Sequence, residues 1–147
     1  MSTYPTNHEL GRMNVVTLAD TPALSRDVRL DIATIQSAWP DFEGSFDSLR
    51  GRTMMGLFYG ADGVYRMSTS RLDRDHDNPR GHDETVIPGG RYLRLRLRGS
   101  APAVYGDIAP AFEVLFAHAD HDPTRPHIEY YRREGEVDCL VPISASS

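Results

Sequence analysis

One succession of elements occurs twice in this chain, strand, helix, strand, strand, and that repetition limits the fold more than any other feature. In the first copy, residues 13–18 are short, apolar and β-prone through Val15 and Val16, and residues 23–30 continue them after a break at Pro22, which predicts a bent first strand. Ile32, Ile35, Trp39, Phe42, Phe46 and Leu49 then recur at intervals of three and four, so all six share one face of a helix. Pro40 lies inside this pattern and removes a backbone donor, which predicts a kink or a break there. Residues 52–59 and 64–72 are apolar-rich and flank Gly60-Ala61-Asp62-Gly63, where two glycines able to adopt positive φ predict a hairpin.

The second copy runs from a strand at 91–98, through a helix within 102–119, to paired strands at 127–133 and 136–143. Its helix carries Ile108, Phe112, Leu115 and Phe116 on one face, with Pro110 in or near the first turn and Pro123 and Pro126 closing the loop beyond. Between the copies, residues 73–84 are so rich in Asp, Arg and His that a surface connection is expected. The reading is a single α+β domain over residues 13–147, with halves at 13–73 and 85–144, after a polar N-terminus (1–12) expected to fray. It consists of an antiparallel sheet carrying both helices and a pseudo-two-fold axis.

Composition bounds what such a domain can do. Its 147 residues, 39% hydrophobic and 25% charged, suffice for one buried core. The formal charge of −5, without a helix-turn-helix or zinc finger, argues against direct nucleic-acid binding. The lone Cys139 excludes an internal disulfide and reads as a small buried hydrophobe in a strand. No signal-peptide pattern and no apolar run of spanning length is present, so a cytoplasmic location without membrane partners is expected. No cofactor motif occurs: Gly89-Gly90 is too short for a phosphate cradle and precedes a strand. His118, Asp120, His121, Asp122 and His127 lie close in sequence, but at a helix end running into a proline-rich turn, where the helix dipole alone favours histidine; no metal site is expected.

Glu129 carries the most chemical information. It stands between Ile128 and the pair Tyr130-Tyr131 in a strand-like run, where burying a carboxylate is costly unless a positive or hydrogen-bonding group meets it. The strand period puts Glu129 and Tyr131 on one face, and Ile128 and Tyr130 on the other. A carboxylate among phenol and aromatic rings suits an amphipathic cation. The same spacing also fits a rim glutamate paired with a nearby arginine.

The run Ile87-Pro88-Gly89-Gly90-Arg91-Tyr92, Gly99 at the strand end, the aromatic helix, Ile128-Glu129-Tyr130-Tyr131 and the closing Val137-Asp138-Cys139-Leu140-Val141-Pro142-Ile143 resemble the GyrI-like small-molecule-binding domain, also the effector domain of AraC- and MerR-type multidrug regulators. Met54-Met55-Gly56-Leu57-Phe58-Tyr59 resembles that family's first hairpin. The resemblance implies a duplicated strand-helix-strand-strand fold, a ligand groove between the halves and the family's glutamate at Glu129. Candidate walls are Trp39, Tyr59, Tyr65, Met67, Tyr92, Phe112 and Tyr131, each of which could equally be plain core. Trp39, the single tryptophan, stands beside the Pro40 break, where the helix would open onto the groove.

Arg94, Arg96 and Arg98 alternate with leucines and share a strand face with Tyr92. Lining the groove, they would favour an anionic or neutral ligand; facing solvent, they would be a wet face or a guarded edge. The leading expectation is a stand-alone domain that senses or sequesters a hydrophobic or amphipathic small molecule. The resemblance also implies an alternative, a hydrolase that opens the cyclopropane ring of DNA-alkylating natural products with Glu129 as general base or acid. A third is a gyrase-inhibitor-like contact with a protein partner, for which −5 spread over the chain is a mild charge.

Overall fold

A computed structural model describes residues 7–144. Among them a nine-stranded antiparallel sheet runs β1 (Asn7–His8), β2 (Gly11–Leu18), β3 (Thr21–Arg29), β4 (Met54–Tyr59), β5 (Val64–Ser70), β6 (Asp83–Ile87), β7 (Gly90–Arg98), β8 (His127–Arg133) and β9 (Glu136–Pro142) in chain order, and β1-β2-β7-β9-β8-β4-β5-β3-β6 across the sheet. The helices are α1 (Ile32–Gly44) and α2 (Ile108–His118). The duplicated α+β architecture expected from the sequence is therefore present, with β4 and β8 adjacent at its centre.

The first strand is interrupted as expected, but at Ala19-Asp20 and not at Pro22, which lies inside β3 opposite Val86, and a second strand bends with it. Only Ala19 and Asp20 separate β2 from β3, and only Pro88 and Gly89 separate β6 from β7. Leu18 faces Gly90 on one side of the bend and Thr21 faces Ile87 on the other, so the four strands make one folded ribbon. The corner requires glycine: a Cβ at Gly89 would strike the backbone of Leu18, Ala19 and Asp20, and Gly90 adopts φ +116°. Each half thereby lays its leading strand on the far edge of the other.

Several expectations are corrected. Residues 7–8 and 11–12 belong to β1 and β2, joined by a turn at 9–10 and with Arg12 opposite Arg96, because ladder pairing uses backbone groups and needs no apolar side chain; residues 1–6 lie outside the described residues. Helix α1 starts at an Asp31 cap, whose carboxylate accepts from the Thr34 N–H at 3.0 Å, and runs unbroken through Pro40 to Gly44. Pro40 and Gln36 are both exposed, so the Gln36 carbonyl left without a helical donor is within reach of water. Phe46 still packs edge-on against Phe42 beyond the helix end, whereas Leu49 is exposed. The 73–84 connection is not wholly at the surface. Asp75 is buried in a two-pronged pair with Arg52 (2.6 and 2.8 Å), which holds its carboxyl down at about 2, and His82 stacks on Phe46 at 4.2 Å.

Both helices lie on one face of the sheet. Helix α2 seats Ala111, Phe112 and Leu115 on Leu95, Leu97, Val137 and the buried Cys139, whose thiol burial pushes up, and α1 seats Phe42 on Leu24, Tyr65 and Met67. Full burial of a side chain such as Phe42 or Leu115 stabilises by about 1.5–3 kcal/mol. On the other face Met55, Leu57, Tyr92, Ile128 and Leu140 form a third cluster. No described helix is long and apolar enough to cross a membrane.

Candidate ligand-binding site

Each helix covers the outer strands of its own half, α1 on β3 and β5 and α2 on β7 and β9, which leaves β4 and β8 as the floor between them. A cleft of about 770 Å³ opens there, within the size range of small-molecule sites. Ladder register sets its floor in rows. Met67, Gly56 and Glu129 stand abreast, as do Tyr65, Phe58 and His127, and Thr69, Met54 and Tyr131.

Gly56 decides what happens at the centre. Having no side chain, it lets Tyr65 reach across β4, where its hydroxyl donates to Glu129 Oε1 at 2.7 Å; a Cβ on Gly56 would overlap that hydroxyl and lie 2.8 Å from the carboxylate oxygen. The Tyr131 hydroxyl donates to the same oxygen at 3.0 Å. Glu129 is only 9% exposed, no arginine or histidine pairs with it among the described residues, and its Oε2 accepts no hydrogen bond there. Burial raises the Glu129 carboxyl above the ordinary carboxylate range; the two phenolic bonds pull the other way without cancelling it. Burial, and then the Glu129 charge, keep both phenols protonated and hence donors.

Aromatic rings complete the walls. Trp39 on α1 meets Tyr131 and Tyr65 edge-on, at centroid distances of 5.9 and 6.1 Å. Tyr105, in the single-turn helix preceding α2 (Ala103–Asp107), meets Tyr131 at 6.1 Å. His127 stacks flat on Phe58 at 4.2 Å with Phe112 and Phe116 edge-on to it, and burial, then the nearby His121, push its pKa down to about 4, so it is a neutral wall at pH 7. A second groove of about 560 Å³ lies on the far side of the Trp39–Tyr131–Tyr105 contact, edged by Arg132, Arg133, Glu43 and Glu134.

Of the residues singled out from sequence, Glu129, Tyr131, Trp39, Tyr65 and Phe112 border the cleft. Tyr59, Met67 and Tyr92 do not. Tyr59 is one register step off, on the opposite face under the Arg66 guanidinium. Met67 faces the helices but is fully buried in the α1 core. Tyr92 is buried on the opposite face, donating to the Pro88 carbonyl at 2.6 Å beneath Arg125. Arg94, Arg96 and Arg98 share that face, away from the Glu129 cleft. His127, Phe58 and Tyr105 also line the cleft, although the sequence does not mark them as walls. The strand period that joins Glu129 to Tyr131 reaches His127 equally, so its place on this face is legible in the sequence. His121 stands edge-on to Phe116, and no group of three or more metal-ligating side chains occurs among the described residues.

No family model matches the chain, and no curated protein matches it in sequence. Solved structures match it in fold. An integron cassette protein from the mobile metagenome of Vibrio cholerae has a TM-score of 0.70 at 17% identity, over 90% of this chain and 95% of its own. SAV2435, solved bound to tetraphenylphosphonium, has 0.67 at 13%, over 92% and 95%. A hydrolase from Listeria innocua has 0.54 at 12%, over 96% and 94%. At these identities the likeness is one of fold, and the fold is compatible with small-molecule binding.

Proposed function

We propose that this chain is a GyrI-like binding domain that takes a hydrophobic or amphipathic small molecule, preferentially a cation, in the cleft between its helices, as a sensor or sequestering protein. The observation that carries the reading is Glu129: a carboxylate nearly out of water with two phenolic donors on Oε1 and, among the described residues, no donor on Oε2 and no cation beside it. Charge is costly there, and a ligand cation would offset the cost while Trp39, Tyr131 and Phe112 supply area and cation–π attraction of about 0.5–2 kcal/mol per ring. The fold neighbour holding tetraphenylphosphonium, a lipophilic cation, agrees with this chemistry. Trp39, the single tryptophan, is the reporter for the test. Its fluorescence should be quenched saturably by tetraphenylphosphonium but not by tetraphenylborate, the anion of the same shape, and Glu129→Gln should weaken the cation at least tenfold. Equal binding of the two ions, or an unaffected variant, would refute the reading.

A second reading, hydrolysis of cyclopropane-containing alkylating agents, is favoured by the raised Glu129 carboxyl and by the hydrolase among the fold neighbours. Glu129 would take a proton from water as the new C–O bond forms and the strained C–C bond breaks, and the substrate carbonyl would take up the electron pair and a proton. In that case Glu129→Gln abolishes product formation while affinity for the neutral substrate persists.

A further inference from the structure

The sheet face turned away from the helices carries an uneven charge pattern. On β9, the buried carboxylates of Asp138 and Glu136 lie among five guanidinium groups, those of Arg94, Arg96 and Arg98 on β7 and Arg132 and Arg133 on β8. Asp138 is taken up by Arg96, whose Nε and Nη2 donate at 2.8 and 3.1 Å. Arg94 is left without a close counter-ion. Its side chain is only 23% exposed, the nearest carboxylate oxygen is 3.9 Å away, and its one hydrogen bond among the described residues runs from Nε to the Asn14 amide oxygen at 3.2 Å. Arg12, across the ladder on β2, has no described partner, and Arg98 stands no nearer than 3.8 Å to Glu136. These groups border a groove of about 480 Å³ between β2 and β7.

A three-quarters-buried guanidinium whose Nη atoms make no hydrogen bond among the described residues carries a desolvation cost, which the like charges of Arg96, Arg132 and Arg12 increase and the more distant Asp138 carboxylate only partly offsets. Guanidinium forks match the oxygens of a phosphoryl group in spacing and charge. We propose that this groove is a binding site for a small phosphoryl anion, gripped by Arg94 with Arg12 and Arg98. It lies on the opposite face of the sheet from Glu129 and stands independently of the ligand-binding reading.

Calorimetric titration of the full chain with inorganic pyrophosphate, against sodium chloride of matched ionic strength, is the test. The expected result is saturable binding that weakens as salt rises from about 50 mM to about 300 mM. Arg94→Met should weaken it at least tenfold, and Arg66→Met, at the other end of the sheet in its pair with Asp27, should not. Because the chain has sixteen arginines and no lysine, Nε–Hε spectra locate the contact directly, and the Arg94 signal should shift most. A nucleoside diphosphate bound as tightly as pyrophosphate identifies phosphate oxygens alone as the ligand; tighter binding identifies a carried phosphoryl group. Should Arg94→Met fail to fold, the exposed Arg12→Met serves, with at least threefold weakening expected. Heats no larger than those of chloride, or full affinity in the variant that folds, would overturn the site.

Discussion

The hydroxyl of Tyr65 donates to Glu129 Oε1 across 2.7 Å, although 63 residues separate the two in the chain. Tyr65 belongs to the first half and Glu129 to the second, so the carboxylate at the centre of the cleft is held in place from both copies of the repeat. The second donor, Tyr131, comes from the strand of Glu129 itself. An acid fixed by two phenols cannot swing away when the cleft is empty, and that fixity favours a ligand met by a prepared site.

Tyr65→Phe should therefore weaken both fold and site. Loss of a buried hydrogen bond to a charged acceptor costs about 1.5–3 kcal/mol, readable as a lower urea midpoint at unchanged slope. The Glu129 carboxyl should rise further, because a bond favouring its charged form is gone.

Gly56→Ala tests the geometry without substituting either partner. The added methyl would occupy the space of the Tyr65 hydroxyl, so Tyr65 must turn aside, at an overpacking cost of about 1–3 kcal/mol. Trp39 emission should change in the same variant, since the Trp39 ring rests edge-on against Tyr65. An alanine protein with wild-type stability and emission would contradict the packing described.

Glu129→Gln should make the protein more stable at about pH 8, with a gain that disappears towards about pH 4. The sign follows from the raised carboxyl. The folded chain holds the Glu129 proton more tightly than the unfolded chain, so the stability linked to this group is full below the ordinary carboxylate value and is lost as pH rises through the raised one. Gln carries no charge to desolvate and removes that loss. Thermal unfolding of both proteins across this range measures the difference directly.

His127 predicts the opposite slope. Its folded-state value of about 4 lies below its ordinary 6.5, so its contribution is complete above 6.5 and is lost as pH falls through about 4. That loss amounts to roughly 3 kcal/mol at most. His127→Phe keeps an aromatic ring against Phe58 and has nothing to protonate, so its stability should fall less in acid than the wild-type protein's.

The duplicated order of elements, the hairpin at Gly60–Gly63, the bent first strand and the cleft-facing pair Glu129 and Tyr131 are all written in local periodicity, which is why they could be read. What escaped depends on partners distant in sequence. Tyr59 and Tyr92 resemble wall residues until register sends them to the other face, and Met67 until the α1 core closes over it. Asp75 and His82 look like loop residues because Arg52 and Phe46, which bury them, belong to a different segment. His127 is the exception, because the same period of two that joins Glu129 to Tyr131 places it on the cleft face.

The folded ribbon has a consequence for how this protein comes into being. A nascent chain that has emerged only through β5 has no β8 for β4 to join and no β6 or β7 to receive β3 and β2, so three of its strands wait with open edges for residues not yet synthesised. Acquisition of structure is then a late, all-at-once event dominated by pairings of high sequence separation, which fold slowly. A gene fragment encoding either half should yield insoluble material unless the complementary half is expressed beside it.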